Sequence, residues 1–221
     1  MNKFILADIN QGMVDAYKEE FKDYSNFEFH CGDVFEKSAD ILISPSNSFG
    51  FLNGGIDGAY TKKMGWKLQD DLQAKIKKDF DGELLVGQST VIETNFEQFP
   101  LLLAAPTMRV PMYLQGSPNV YLAARAIFLR IKKYDDCVIH GANGIEYLLP
   151  DVGEIGEKRY KPQDVSLTIL IPGLGTGTGF VTFTQCASRM RMAYEDFYLG
   201  QSLYPKNLNT ANIKHFEEIT P

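Results

Sequence analysis

An amide, a pair of glycines and a carboxylate fall within one short segment, Asn47-Ser48-Phe49-Gly50-Phe51-Leu52-Asn53-Gly54-Gly55-Ile56-Asp57-Gly58-Ala59-Tyr60. It follows directly on an apolar run, Asp40-Ile41-Leu42-Ile43. A second segment, Pro172-Gly173-Leu174-Gly175-Thr176-Gly177-Thr178-Gly179-Phe180, carries four glycines within seven residues. Glycines let backbone amides approach a ligand closely, and a helix N-terminus beyond such a loop favours an anion, with phosphate the obvious candidate. Each residue also has a plain structural use: Asn47 in an Asx-turn, Gly54-Gly55 in a tight turn, Asp57 as a helix cap. A capping carboxylate would occupy the positive position that a phosphate wants. A phosphate here therefore requires Asp57 to point elsewhere, most usefully at a sugar, which makes it a candidate catalytic group.

The common phosphate and nucleophile motifs do not account for these loops. No register of the second loop fits G-x-G-x-x-G, no glycine is followed by lysine as in a Walker A loop, and G-x-S-x-G is absent. Dinucleotide oxidoreductase, NTPase and serine hydrolase readings lose their support.

The elements that must position these residues alternate along the chain. Lys3 to Ile9, Phe27 to Cys31, Ala39 to Ile43, Leu101 to Ala105, Cys137 to His140 and Leu167 to Ile171 read as strands, and Gln88 to Glu93 pairs with Leu101 to Ala105. Asn10 caps a helix presenting Val14, Tyr17 and Phe21, and Trp66 to Phe80 repeats Leu68, Leu72 and Ile76 at helical spacing. Pro118-Asn119 opens a helix with Val120, Ala123, Ala124, Ile127, Phe128 and Ile131 on one face, and Cys186, Met190, Ala193, Tyr194 and Phe197 mark a last helix. Strands alternating with helices predict a single three-layer α/β domain over residues 1–200. Residues 141–163, rich in glycine and charge, read as an excursion from the core, and 201–221 as a surface tail of little periodicity. The asparagine at 47 then sits just past a strand's carboxyl end, where ligands bind in open α/β sheets.

Composition agrees with one globular domain: 221 residues, 44% hydrophobic and 12% aromatic. A formal charge of −6 argues against general affinity for nucleic acid. Three scattered cysteines, Cys31, Cys137 and Cys186, form no zinc-ligand pattern and suit a reducing compartment. No apolar run is long enough for a signal peptide or a membrane span, so a soluble, cytoplasmic, monomeric protein is expected.

Four separated blocks resemble the signature blocks of macrodomains, which bind ADP-ribose: Gly32-Asp33-Val34, Ile43-Ser44-Pro45-Ser46-Asn47, Asn53-Gly54-Gly55-Ile56-Asp57-Gly58-Ala59 and Pro172 to Phe180. Their order and spacing agree over residues 1 to about 200. Within that family the chain looks closest to a bacterial and phage branch linked to ADP-ribose-1''-phosphate processing, which Ala105-Pro106-Thr107-Met108-Arg109-Val110-Pro111 also resembles. The resemblance implies a three-layer α/β/α macrodomain fold with a central mixed, mostly parallel sheet. Asp33 would accept from the adenine amino group, Val34 would lend its backbone amide, and Asn47 would bind the distal ribose. Gly54, Gly55 and Ile56 would form one wall of the pyrophosphate site, and Gly175, Thr176, Gly177, Thr178 and Gly179 the other, with Phe180 near the distal ribose. These amides neutralise phosphate without lysine or arginine, which fits an acidic chain.

The resemblance also supplies a mechanism. The branch that removes mono-ADP-ribose from proteins uses an asparagine followed ten residues later by an aspartate, the separation of Asn47 and Asp57. Asp57 would orient or deprotonate a water at the anomeric carbon of the distal ribose, a role the pyrophosphate could share. Two departures bear on substrate choice: Ser44-Pro45-Ser46-Asn47 replaces the usual asparagine-alanine-alanine-asparagine block, and the second loop is one residue shorter than in the protein-directed hydrolases. No lysine and aspartate stand as in the branch that works through a lysine adduct. The expectation is therefore hydrolysis at the distal ribose of a mono-ADP-ribosyl compound or ADP-ribose-1''-phosphate, with ADP-ribose as ligand or product and no metal or other cofactor. The alternative is a non-catalytic module that binds or sequesters ADP-ribose or a nucleotide signal derived from it. Among other conspicuous residues, Arg109 is expected in an ion pair, His140 and Trp66 in the core, and His30 and Cys31 beside the adenine pocket.

Overall fold

The computed structural model describes residues 1–134, 166–201 and 204–219. Its strands are β1 (Lys3–Asp8), β2 (Phe27–Cys31), β3 (Ile41–Ser44), β4 (Thr90–Glu93), β5 (Leu101–Ala104) and β6 (Thr168–Pro172). The helices are α1 (Gln11–Phe21), α2 (Gly55–Met64), α3 (Lys67–Asp79), α4 (Asn119–Tyr134), α5 (Phe183–Ala193) and α6 (Leu208–Ile219). The strands form one sheet in the order β2-β1-β6-β3-β5-β4, with every neighbouring pair parallel except the antiparallel β4 and β5.

Successive side chains of a strand point to opposite faces, so a sheet covered on both sides needs apolar residues at every position. The strands carry such runs, and the two sets of side chains separate cleanly. Phe4, Leu6, Ile41, Ile43, Leu101, Leu103, Ile169 and Ile171 join a core with Tyr17 and Phe21 of α1, Ile127 and Phe128 of α4 and Met190 of α5. Ile5, Ala7, Leu42, Leu102, Ala104 and Leu170 join a second core with Tyr60 of α2 and Leu68, Leu72 and Ile76 of α3. These are the three layers expected from the sequence pattern.

Most local expectations hold. Asn10 caps α1, its side-chain oxygen accepting from Gly12 N at 2.9 Å. Trp66 is a correction: it is 58% exposed rather than in the core. The stripe of α3 that faces the sheet runs through Leu68, Leu72 and Ile76, and Trp66, two residues earlier at the helix start, points away from it.

The region beyond Gln201 also differs, because residues 208–219 form α6. Leu208, Ile213 and Phe216 are 76%, 53% and 60% exposed, so the helix has no buried stripe for periodicity to reveal. It is started by a reciprocal cap between Asn207 and Thr210 and tied down by Arg189 Nη2 donating to Ile219 O at 3.0 Å. The expected strand Cys137 to His140 and the excursion 141–163 lie outside the described residues. Five parallel strands place their carboxyl ends on one side of the sheet, and the loops of interest emerge there.

Candidate functional site

A cleft of about 560 Å³ runs across those carboxyl ends. This is within the range of small-molecule sites. Asp33 and Val34 line it after β2, Asp8 and Ile9 at the end of β1, Gly173 and Gly175 to Thr178 after β6, Ser46, Asn47 and Gly54 to Asp57 after β3, and Met108 and Pro111 after β5. The sheet order therefore sets the order along the cleft. Four inter-strand spacings separate β2 from β5, roughly 19 Å at about 4.8 Å each. An elongated ligand would lie across the strands.

Asp33 stands at one end. Its carboxylate accepts from Phe35 N at 3.0 Å, capping a single helical turn, Val34–Glu36, that leaves the side chain at the exposed mouth of the cleft. His30 Nε2 lies 3.1 Å from the Asp33 carbonyl, so it braces this turn without lining the cleft.

The two glycine loops meet the middle of the cleft, and their glycines divide by what the fold requires. Gly175 has φ +70°, and a Cβ there would stand 2.9 Å from Leu114. A Cβ on Gly179 would meet Gly175 O at 2.5 Å. Packing alone explains both. Gly54 and Gly177 line the cleft, have no left-handed φ, and would hold a Cβ with nothing within 4 Å of it. Folding does not require glycine at either place, whereas close approach of a ligand to the backbone would.

Asn47 and Asp57 both line the cleft, but they are held differently. Asn47 Oδ1 accepts from Phe49 N at 3.1 Å and Phe51 N at 3.3 Å, and its Nδ2 donates to Phe51 O at 2.8 Å. The plain use of this amide, closing an Asx-turn, is realised. Asp57 is not a cap: Gly54 holds the N-cap position of α2 without a side-chain bond, and the Asp57 carboxylate turns toward the end of β3. There Ser44 Oγ donates to Asp57 Oδ1 at 2.6 Å. Asp57 is 8% exposed, and burial pushes its carboxyl up to about 7, with the Ser44 bond opposing the rise. Tyr60, buried beside it, donates to Ile43 O at 3.1 Å.

Several lining residues escaped the sequence reading. Asp8 ends β1 inside the cleft, where burial raises its pKa against backbone N–H groups of Asn10, Ile9 and Gly173. A carboxylate at the end of an apolar strand was the available signal. Ser46 is 2% exposed, and its Oγ has no hydrogen-bond partner among the described residues. Gly179 and Phe180 stand outside the lining; Phe180 instead stacks on Tyr113 with centroids 4.9 Å apart. Arg109 is ion-paired with Glu83 at 2.5 Å and lies over Phe49, and among the described residues no lysine or arginine lines the cleft.

No protein-family model matches this chain, and no curated protein matches it. Solved structures do. The macrodomain of Mycobacterium tuberculosis DarG superposes with a TM-score of 0.50 at 16% identity, covering 75% of this chain and 87% of that one. The Oceanobacillus iheyensis macrodomain with MES bound gives a TM-score of 0.50 at 14% identity, covering 85% of this chain and 87% of that one.

Proposed function

The fold of this chain is the macrodomain fold, and we propose that the protein binds ADP-ribose and hydrolyses a bond at the distal ribose of a mono-ADP-ribosyl compound or of ADP-ribose-1''-phosphate. One observation carries the reading: a single cleft is lined by both glycine loops and by a buried carboxylate, Asp57, whose pKa is raised to about 7. Adenine lies at the Asp33 and Val34 end. The pyrophosphate lies between Gly54-Gly55-Ile56 and Gly175 to Thr178, where no atom comes within 4 Å of the place a Cβ would take on Gly54 or Gly177 and a ligand can approach the backbone closely. The distal ribose then reaches β3, beside Asn47, Ser46 and Asp57.

Hydrolysis at that ribose breaks the bond between the anomeric carbon and the leaving group, whose electron pair departs with it. A water oxygen bonds to the carbon, the water proton passes to Asp57, and the leaving group takes a proton from solvent. A base poised near neutrality is matched to this task. Ser44 fixes the carboxylate's orientation.

A second reading, a binder without turnover, is favoured by Asn47, whose amide is engaged at both ends within its own loop. The two are separated by calorimetry with ADP-ribose followed by product analysis on ester-linked, thymidine-linked and 1''-phosphate substrates. Turnover lost in Asn47→Ala and Asp57→Ala supports the hydrolase. Tight binding with no product from any substrate supports the binder, and no binding of any ADP-ribose compound refutes both.

A further inference from the structure

We propose that Asp8 holds the hydroxyls of the adenosine ribose and makes the cleft select ADP-ribosyl compounds whose adenosine hydroxyls carry no phosphate. This rests on the reading above and adds to it a residue that determines specificity.

Asp8 joins the two halves of the site. β1 lies between β2 and β6 in the sheet, with Asp8 in register with Cys31 and Ala7 with Pro172. On one side Gly32 N donates to Asp8 O at 3.0 Å, which ties the residue to the turn bearing Asp33 and Val34. On the other side the Gly173 N–H, at the root of the second glycine loop, faces the Asp8 carboxylate. A nucleotide with its base at β2 and its phosphates beside the loop after β6 therefore carries its ribose past the end of β1. Asp8 and Ile9 line the cleft there.

The carboxylate is held in place by the backbone around it. Asn10 N donates to Asp8 Oδ1 at 2.8 Å, and the N–H groups of Ile9 and Gly173 add to that bond. A Cβ on Gly173 would stand 2.8 Å from Asp8 Oδ2 and 2.7 Å from Thr176 Oγ1, so the glycine makes the room in which these two polar atoms come together. A carboxylate offers about four acceptor positions, so three backbone donors leave one for a hydroxyl. The ribose hydroxyls are donors, and Ile9, the other lining residue at the end of β1, has an apolar side chain.

Charge supplies the selectivity. Tyr17 and Cys186, both fully buried, feel the charge of Asp8, and burial keeps each of them neutral, the thiol pushed up to about 12. Among the described residues no lysine or arginine lines the cleft. A ribose hydroxyl satisfies the carboxylate by donating a hydrogen bond. A phosphate ester in its place removes that proton and sets about −1.5 to −2 charge against the carboxylate, with no cation in the cleft to offset it. Between like charges in a partly desolvated site this repulsion is strong.

The experiment is calorimetry on the full chain at neutral pH, with ADP-ribose and with its two isomers phosphorylated on the 2'- or the 3'-hydroxyl of the adenosine ribose. Each isomer is expected to bind at least about thirtyfold more weakly than ADP-ribose. Asp8→Asn keeps the shape of the side chain and an acceptor for Asn10 N, and should reduce that ratio at least about fivefold. Because the ratio compares ligands on one protein, a general loss of affinity from a disturbed loop cancels. Asp8→Ser supplies the same comparison if the asparagine form does not fold, and the wild-type series needs no variant. Either isomer binding as tightly as ADP-ribose, or a ratio unchanged when Asp8 loses its charge, overturns the inference and leaves ADP-ribose recognition standing. Failure of ADP-ribose itself to bind overturns the functional reading beneath it.

Discussion

Replacing Asp57 by asparagine tests the buried carboxyl without reference to any substrate. The ordinary value for aspartate is 3.8, and burial raises Asp57 to about 7. Below about pH 4 the group is protonated in folded and unfolded chains alike. As pH rises from there to about 7 the unfolded chain releases this proton and the folded chain retains it. The protein therefore loses stability over that window, and the loss levels off above it. At about 1.4 kcal/mol per pH unit the full loss approaches about 4 kcal/mol. Asparagine at 57 can still accept from Ser44 and does not ionise, so the variant escapes the loss. Urea unfolding of both proteins at pH 4, 5.5, 7 and 8.5 should show Asp57→Asn gaining relative stability with pH, by up to about 4 kcal/mol, and the difference becoming flat above pH 8. A difference independent of pH, or one favouring the wild type as pH rises, would refute a buried carboxyl titrating near neutrality. It would remove the physical basis for Asp57 as a base.

Ser44→Ala removes a short, charge-assisted hydrogen bond, of the kind that contributes about 1.5–3 kcal/mol, and the Asp57 titration should move upward by about one to two pH units; carbon-detected NMR of the carboxyl, or the rising limb of a pH–rate profile, reads this directly. Gly177→Ala should leave the unfolding midpoint near wild type yet weaken ADP-ribose binding at least about tenfold, because the added methyl enters open cleft. Gly179→Ala, whose Cβ would meet Gly175 O at 2.5 Å, should instead destabilise the fold by about 1–3 kcal/mol, measured by the same denaturation. Equal behaviour of the two variants would contradict the division between packing and ligand glycines. Asn47→Ala should lower stability by about 1–3 kcal/mol through the loss of its loop bonds, and ligand binding to the variant should recover as temperature is lowered.

Residues contiguous in the chain were legible, because local patterns carry their own physics. The apolar runs of β1, β3, β5 and β6, the stripe of α3, the cap at Asn10 and the two glycine loops could all be read within a few residues of themselves. α6 could not, since its hydrophobic residues face solvent and its start is a cap rather than a pattern. Ser44 was seen only as a departure from a motif; its bond to Asp57 exists because α2 folds back over the end of β3. Asp8 and Tyr113 were passed over for a related reason, since each acquires meaning only from a distant neighbour: Asp8 from the pairing of β1 with β6, and Tyr113 from Phe180, on which it stacks.

The order of residues along the chain was enough to dictate the alternation of strands and helices, the two loops able to admit an anion, and the presence of an amide and a carboxylate at the end of one strand. What the polar groups do came from folding. It turned Asp57 inward and raised its pKa, engaged the Asn47 amide within its own loop, and left Ser46 Oγ without a partner among the described residues. It also laid five strand ends in the order that gives the cleft two distinct ends. These outcomes follow from burial, hydrogen-bond geometry and strand adjacency, which depend on segments far apart in the chain and are absent from any local pattern.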